Sequence, residues 1–311
     1  MKLGLIGEKL GHSLSPEIHQ KIFEKLGIRG TYNLLPIARM NLKDTVETLL
    51  ESMDGFNVTI PYKTDIMPFL DEISPEARTI GAVNTVAVRD GKRYGYNTDY
   101  DGFARTLDKI AADVKGEKVF VMGHGGASRA VVQCLHDRGA GAILIVSRCP
   151  EAVDESFQEF AEKRDCFIID YSILNQEDGY LLVNATPVGM YPKAGFSPVP
   201  AEVAERFDKV IDLIYNPSET KLLSDAMNAD KSNGLYMLVM QAVRAEEIWL
   251  GHDIPEFVAM EIVEEMKQLQ EERVEAERAK ILLSDDEAAE KAVDLAVAML
   301  PRERNWINEW F

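Results

Sequence analysis

Between Lys118 and Arg148 the chain reads KVFVM, then GHGGASRA, then VVQCLHDRGA, and after a short break AILIVSR. An apolar strand that runs into glycines, opens a helix and returns as a second apolar strand forms a βαβ unit with a phosphate-binding turn. Within Gly123 to Ala130, Gly123, His124, Gly125, Gly126 and Ala127 occupy the turn itself. There the backbone can approach a pyrophosphate, and the free amides of the helix N-terminus face it with a favourable dipole. A glycine pattern alone is weak, but here the strand before it, the helix after it and the next strand ending at Ser147 supply the context. CFIID, YLLVNA and KVIDLIY are short runs apolar throughout, as expected of further strands of one parallel sheet covered on both faces.

A chain of 311 residues suits two compact domains. The first hundred residues set up their own β–α alternation. KLGLIG is followed by a helix that Ser15 caps, Pro16 enters and Gly27 ends. Strand TYNLLPI, helix LKDTVETLL and strand GFNVTIPY come next. TVAVRDGKRYGY is a hairpin turning on Asp90-Gly91. The connector DYDGFARTLDKI leads into the glycine-turn region, and LYMLVMQAVRAEEIWL after Gly234 has the spacing of a helix that returns to the first domain. The expected class is therefore α/β, with an α/β domain over 1–102 and 237–263 and a Rossmann-type, doubly wound parallel sheet over 103–236. An acidic helical extension spans 264–311. Hinges are expected near Asp101-Gly102 and Gly234. The extension ends in RERNWINEWF, whose aromatics either pack on the chain itself or meet a partner, so the assembly is expected to be a monomer or a homodimer.

A formal charge of −18 disfavours nucleic acid and anionic membranes as partners, so any bound anion must be held by local groups. Cys134, Cys149 and Cys166 are odd in number and far apart, which suggests neither a disulfide framework nor a metal site. No apolar run reaches membrane-spanning length and KLGLIG follows Met1 directly, so a cytoplasmic protein is expected.

Local anion-holding groups can be named. Where the strand after the glycine turn ends, an acidic residue would meet ribose hydroxyls, but Ser147-Arg148 stands there instead. Guanidinium matches a 2′-phosphate, so NADP is the expected cofactor. Ser13 and Ser15 bracket Leu14, and in an extended segment both hydroxyls point one way, able to hold a carboxylate. Read alone, Ser15 serves equally as a helix cap and Ser13 as a solvated residue. NVTIPYK puts Thr59 at a strand end and Lys63 beyond Pro61 near an expected helix start, where a cation opposes the dipole. GAVNT and GYNTDYDG bring Asn84 and Asp99 to the ends of the hairpin, where either could also be a turn residue.

SLSP, NVTIPYK, GAVNT, NTDYDG, GHGGASRA, NATPVGM and GLYMLVMQA stand in the order and approximate spacing of shikimate dehydrogenases, so residues 1 to about 260 resemble that family. The resemblance implies an NADP-dependent oxidoreductase acting on a CH–OH group, interconverting 3-dehydroshikimate and shikimate in aromatic amino acid biosynthesis. It also implies that the first domain is the substrate domain. There Ser13 and Ser15 hold the carboxylate, Thr59, Asn84, Asp99 and Gln241 contact the ring hydroxyls, and Tyr215 lines the pocket. Lys63 and Asp99 are implied as the catalytic pair, because reducing a ketone needs a hydride for carbon and a proton for oxygen. On the cofactor side it assigns Gly123 to Ala127 to the pyrophosphate, Ser147 and Arg148 to the 2′-phosphate, and Thr186, Leu213 and Gly234 to the nicotinamide half. His124 replaces a usual alanine, SRC a common NRT, and Tyr236 a frequent third glycine.

Quinate or quinate/shikimate dehydrogenase using NAD is the nearest alternative, and a non-catalytic NADP-binding regulator is another. Methylenetetrahydrofolate dehydrogenase and glutamyl-tRNA reductase share a related fold, but their substrates do not call for SLS with NTD. The cofactor assignment is testable: Arg148→Ala should weaken NADPH binding about 10- to 100-fold, the scale of one charged hydrogen bond, and leave NADH binding nearly unchanged. Titrating both nucleotides checks this, and equal losses for the two would refute the role of Arg148.

Overall fold

The computed structural model describes residues 1–11 and 13–283. The chain opens with β1 (Lys2–Gly7), helix α1 (Ser15–Leu26), β2 (Thr31–Pro36), α2 (Leu42–Ser52) and β3 (Gly55–Val58). β1 is buried from Leu3 onward because β2 and β3 flank it, both parallel to it. Gly27, at φ 65°, ends α1 as expected. Ser15, however, is the first residue of the helix and not its cap. Leu14 takes the cap position without a side-chain bond, and the Ser15 amide goes to the Ser13 hydroxyl oxygen at 3.2 Å.

β4 (Glu72–Ile73), α3 (Pro75–Ile80), β5 (Thr85–Arg89), β6 (Lys92–Tyr96) and α4 (Thr98–Lys109) follow. β5 and β6 pair antiparallel as the hairpin predicts, with Asp90 and Gly91 at φ 51° and 74°. β5 then pairs antiparallel with β3, giving a mixed sheet in the order β2-β1-β3-β5-β6-β4. β3 is shorter than its apolar run suggests. From Thr59 the chain turns, with the Tyr62 amide on the Thr59 carbonyl at 2.9 Å, so Lys63 lies in a turn and not at a helix start.

The second sheet comes from β7 (Lys118–Met122), α5 (Gly126–Asp137), β8 (Ala142–Val146), α6 (Glu155–Glu162), β9 (Phe167–Ile169), α7 (Tyr171–Leu174) and β10 (Gly179–Asn184). It is completed by α8 (Ala201–Ala204), β11 (Phe207–Asp212), α9 (Lys221–Asp225) and β12 (Asp230–Ser232). All its pairings are parallel, in the order β12-β11-β10-β7-β8-β9. The chain leaves β7 for β8 on one side and returns to its other side as β10. This reversal opens a crevice at the carboxyl ends of those strands, the usual ligand position of a doubly wound sheet. Successive residues of β7 serve opposite cores, Val119 and Val121 on one face and Phe120 and Met122 on the other, which is why the run has no polar alternation.

Helix α10 (Gly234–Leu250) packs along α4 and against α1, and α11 (Glu256–Leu283) follows it. Two compact units divide the chain, Met1–Val263, which holds both sheets, and Glu264–Phe311. The described part of the second unit is the helical stretch to Leu283, where Lys267 pairs with Glu264 at 2.5 Å. The expected later helix of the acidic extension and the aromatic residues at its end lie outside the described residues.

The approach of α4 to α10 depends on Gly102. A methyl group there would stand 2.7 Å from the Met237 carbonyl oxygen and 3.1 Å from Gln241 Cβ. Gly102→Ala should therefore destabilise the fold by about 1–3 kcal/mol, the usual cost of overpacking. A denaturant midpoint equal to that of the parent would show that the helices are not pressed together at this point.

Candidate active site

The turn after β3 delivers Lys63. Tyr62, fully buried, anchors that turn by donating its hydroxyl to the Ile37 carbonyl at 2.5 Å, and the Val83 amide donates to the Lys63 carbonyl at 2.8 Å. With the backbone held on both sides, the ammonium projects onto Asp99 and makes a direct ion pair with Oδ2. The two side chains are only 14% and 11% exposed, so each charge depends on the other for most of its solvation.

Asp99 lies in the first turn of α4, which Asn97 caps by accepting the Tyr100 amide. The carboxylate thus gains from the positive end of the helix dipole as well as from Lys63. Its Oδ1 accepts from Asn84 Nδ2 at 2.9 Å. Asn84 is fixed in turn, its Oδ1 accepting from the Thr98 amide at 2.7 Å and from the Thr85 hydroxyl at 3.0 Å. Thr98 reaches α10 by donating to Gln241 Oε1 at 3.3 Å. Lys63, Asn84, Asp99 and Gln241, far apart in the chain, therefore converge.

Ser13 and Ser15 stand at the start of α1. Ser13 donates to the Ser15 hydroxyl at 3.1 Å. Tyr32 donates to Asn57 Oδ1 at 2.8 Å, and Asn57 Nδ2 donates to the Thr85 hydroxyl at 2.9 Å. These buried groups join Tyr32 to Asn84, whose carbonyl accepts from Asn57 Nδ2 at 3.2 Å. Thr59 is half-buried at the end of β3, its amide on the Ile6 carbonyl at 2.9 Å. Tyr215 extends from the loop after β11. Its phenol is held above the ordinary range mainly by burial, with the Glu17 carboxylate of α1 adding to the effect.

The glycine turn meets this cluster directly, since a methyl at Gly126 would stand 3.6 Å from Lys63 Cδ. Gly123 has φ 102°, and a methyl there would come 3.0 Å from Thr186 Cγ2 and 3.1 Å from the Ala185 carbonyl. Around Gly125 the space is open, and no side chain caps α5. A cradle with free amides at the head of a twelve-residue helix fits a pyrophosphate. His124 sets its ring edge-on against Phe157, 5.8 Å between centroids, as a packing residue of the loop. Ser147 is buried, its hydroxyl accepting the Cys149 amide, while Arg148 is exposed at the end of β8 and makes no ion pair among the described residues. Thr186 donates to Asn184 Oδ1 at 2.7 Å, and the Gly234 amide donates to the Ile214 carbonyl at 3.0 Å, close against Leu213.

Several groups that organise the site carry no obvious signal in the sequence. Thr98, Thr85, Asn57 and Tyr32 are recognisable only once their partners are in place. Asp212, fully buried at the end of β11, ties two loops together. It accepts from Asn184 Nδ2 and the Ile214 amide, each at 3.0 Å, and from the Thr220 hydroxyl at 2.7 Å. A carboxylate in the middle of the apolar run KVIDLIY is the available clue. Burial outweighs these three hydrogen bonds and pushes the Asp212 carboxyl up to about 6.

A glycine turn at the reversal point of a doubly wound sheet, facing a buried lysine–carboxylate pair, is the arrangement of a dinucleotide-dependent dehydrogenase. Residues 5–86 match the family model of the shikimate dehydrogenase substrate binding domain. The chain is 46% identical over 272 residues to a shikimate dehydrogenase (NADP(+)) of Clostridium perfringens, spanning 86% of this chain and 99% of that protein. Among solved structures it resembles a chorismate mutase/shikimate 5-dehydrogenase fusion protein from Clostridium acetobutylicum, at TM-score 0.82 and 45% identity, covering 87% of this chain and 98% of that one. It also resembles the shikimate 5-dehydrogenase of Thermus thermophilus in complex with NADP(H) and shikimate, at TM-score 0.75 and 31% identity, covering 85% and 99%. The chain belongs to the shikimate dehydrogenase family.

Asp212 also sets a pH dependence. Its folded-state carboxyl titrates near 6 against an ordinary 3.8, so between those values the folded protein holds a proton that the unfolded chain has released. Stability from this group therefore rises as pH falls through that window, by roughly 2–3 kcal/mol at about 1.36 kcal/mol per unit. Relative to Asp212→Asn, the parent should gain urea resistance between about pH 7 and pH 4, and a constant difference between the two proteins would contradict the assignment.

Proposed function

We propose that the chain catalyses the reversible, NADPH-dependent reduction of 3-dehydroshikimate to shikimate, a step of aromatic amino acid and chorismate biosynthesis. The observation that carries this reading is the buried Lys63–Asp99 pair, with the stem of Lys63 against Gly126 of the nucleotide turn. The reduced nicotinamide supplies a hydride to the carbonyl carbon when bound. The Lys63 ammonium donates the proton that the developing alkoxide oxygen takes up, and Asp99 holds that ammonium in place. In the oxidative direction the pair accepts the same proton as one coupled unit.

The remaining residues bind and orient. Ser13 and Ser15 donate hydroxyls to the substrate carboxylate, so an anion is held without a cation in a chain of net charge −18. Asn84, Asp99, Thr59 and Gln241 meet the ring hydroxyls, and Tyr215 closes the pocket. Gly123 to Ala127 would hold the pyrophosphate, Ser147 and Arg148 the 2′-phosphate, and Thr186, Leu213 and Gly234 the nicotinamide end. On this reading 1–102 with 237–263 forms the substrate domain and 103–236 the NADP domain, with hinges near Asp101-Gly102 and Gly234. No described helix is long and apolar enough to cross a membrane, and the reading places the enzyme in the cytoplasm as a monomer or homodimer.

Lys63→Ala should lower turnover about 100- to 10,000-fold, the usual contribution of a positioned proton donor, with little change in the KM for shikimate. Steady-state assays of shikimate and quinate with NADP⁺ and NAD⁺ check it. Turnover close to the parent's would remove Lys63 from the chemistry, and a preference for quinate with NAD⁺ would shift the reading to the quinate branch.

A further inference from the structure

Away from the Lys63–Asp99 pair, one buried cation joins the two sheets. Arg164 follows α6 on the parallel-sheet side and is only 8% exposed, yet it makes no ion pair among the described residues. A buried charge without compensation is costly. Its guanidinium instead collects three neutral acceptors. Nε donates to Gln133 Oε1 of α5 at 2.6 Å, one terminal nitrogen to the Phe160 carbonyl at 2.6 Å, and the other to the Thr79 carbonyl of α3 at 2.7 Å. Its Cζ stands 3.6 Å from the centroid of the Phe160 ring, which supports the group from a further direction. Both carbonyls lie in the last turn of a helix, where the helix leaves them free and its dipole is negative. The Arg164 amide passes over Phe160 to the Ala161 carbonyl, and the Val83 amide, four residues beyond Thr79, goes to the Lys63 carbonyl at 2.8 Å.

What Arg164 grips leads to the cleft from both sheets. From Thr79 the chain runs directly through Val83, which holds the Lys63 turn, to Asn84, which holds Asp99. Gln133 lies on α5, whose first residue, Gly126, belongs to the glycine turn. Beside this bond the apolar contact between α3 and α5 is small, formed by Ile80, Ala82 and Ala130, and the junction opens into a groove of about 620 Å³ lined by Thr79, Gly81, Gln133 and Arg164. Where little surface is packed, a directional bond sets the angle at which two elements meet. We propose that Arg164, through its bond to the Thr79 carbonyl, is the joint that sets the Lys63–Asp99 pair in position relative to the nucleotide turn. It is a positioning residue, acting through α3 and α5 and not on the reacting atoms. The inference rests on the reading that this pair serves a hydride transfer between shikimate and the nucleotide.

Arg164→Ala and Arg164→Lys test it through kcat, the dissociation constants of shikimate alone and of NADP⁺ alone, the deuterium isotope effect on kcat, and thermal melts. Each ligand is held by residues of one side, so both dissociation constants should stay within about twofold of the parent's. In Arg164→Ala kcat should fall about 10- to 100-fold, the contribution of one charge-assisted hydrogen bond. Lysine keeps the charge but cannot reach three acceptors in one plane, so kcat of Arg164→Lys should lie between that of Arg164→Ala and the parent's. A slower hydride step holds the isotope effect at or above the parent's. Guanidinium ion below denaturing concentration should restore turnover to Arg164→Ala, and urea should not. A purely structural role would lower the melting temperature and leave kcat of the folded protein unchanged. Parent-like kcat in either variant, dissociation constants that rise in step with the loss, or an isotope effect below the parent's would overturn the proposal. If the parent itself oxidises no shikimate with NADP⁺, the functional reading fails; if it does and the variants match it, this inference fails alone. Should Arg164→Ala not fold, Arg164→Lys decides the matter.

Discussion

A lysine ammonium largely withdrawn from water against one aspartate is the constraint around which the rest of the site is arranged. Neither charge could remain in the cleft alone, because an uncompensated buried ion costs several kcal/mol or more. The surrounding elements can be read as the means of holding the two together. A turn pinned by Tyr62 delivers Lys63, and the capped start of α4 delivers Asp99. Asn84, itself gripped by Thr98 and Thr85, occupies the second carboxylate oxygen. With Asp99 engaged on both oxygens, Lys63 Nζ is held in one position against it.

The two sheets supply opposite kinds of order. In the parallel sheet, apolar strands bury both faces, and their carboxyl ends carry the backbone amides and short loops that accept a nucleotide. Asn184 and Asp212 lock two of those loops to each other at the cost of a carboxylate kept away from water. In the mixed sheet the polar groups form a seam from Tyr32 through Asn57 and Asn84 to Asp99. Gly102 lets α4 and α10 touch, and that contact brings Gln241 to the seam.

What the sequence disclosed follows the range of the forces involved. The glycine turn, the Asp90-Gly91 hairpin and the Gly27 stop depend on neighbouring residues and were legible, as was the parallel sheet, from runs apolar on both faces. The start of α1 differs from the expectation because the helix already includes Ser15, whose own amide goes to the Ser13 hydroxyl while Leu14 takes the cap position. The expected helix beyond Pro61 is a set of turns, and β4 and β12 are too short and polar to show a period. The deeper network was hidden for a different reason. His19 and Glu246 are 227 positions apart, and Tyr32 and Asn57 are 25 apart. A hydrogen bond between distant residues leaves no periodicity, so only the fold identifies its partners.

The account stands on hydride exchange between the ring carbinol and the nucleotide in this cleft, and isotope transfer measures that without reference to any variant. Purified protein should be incubated with NADP⁺ and shikimate deuterated at the carbinol carbon that becomes the ketone, and the reduced nucleotide weighed by mass spectrometry. The account predicts one deuterium in the NADPH formed. Unlabelled NADPH, or no NADPH at all, would contradict it.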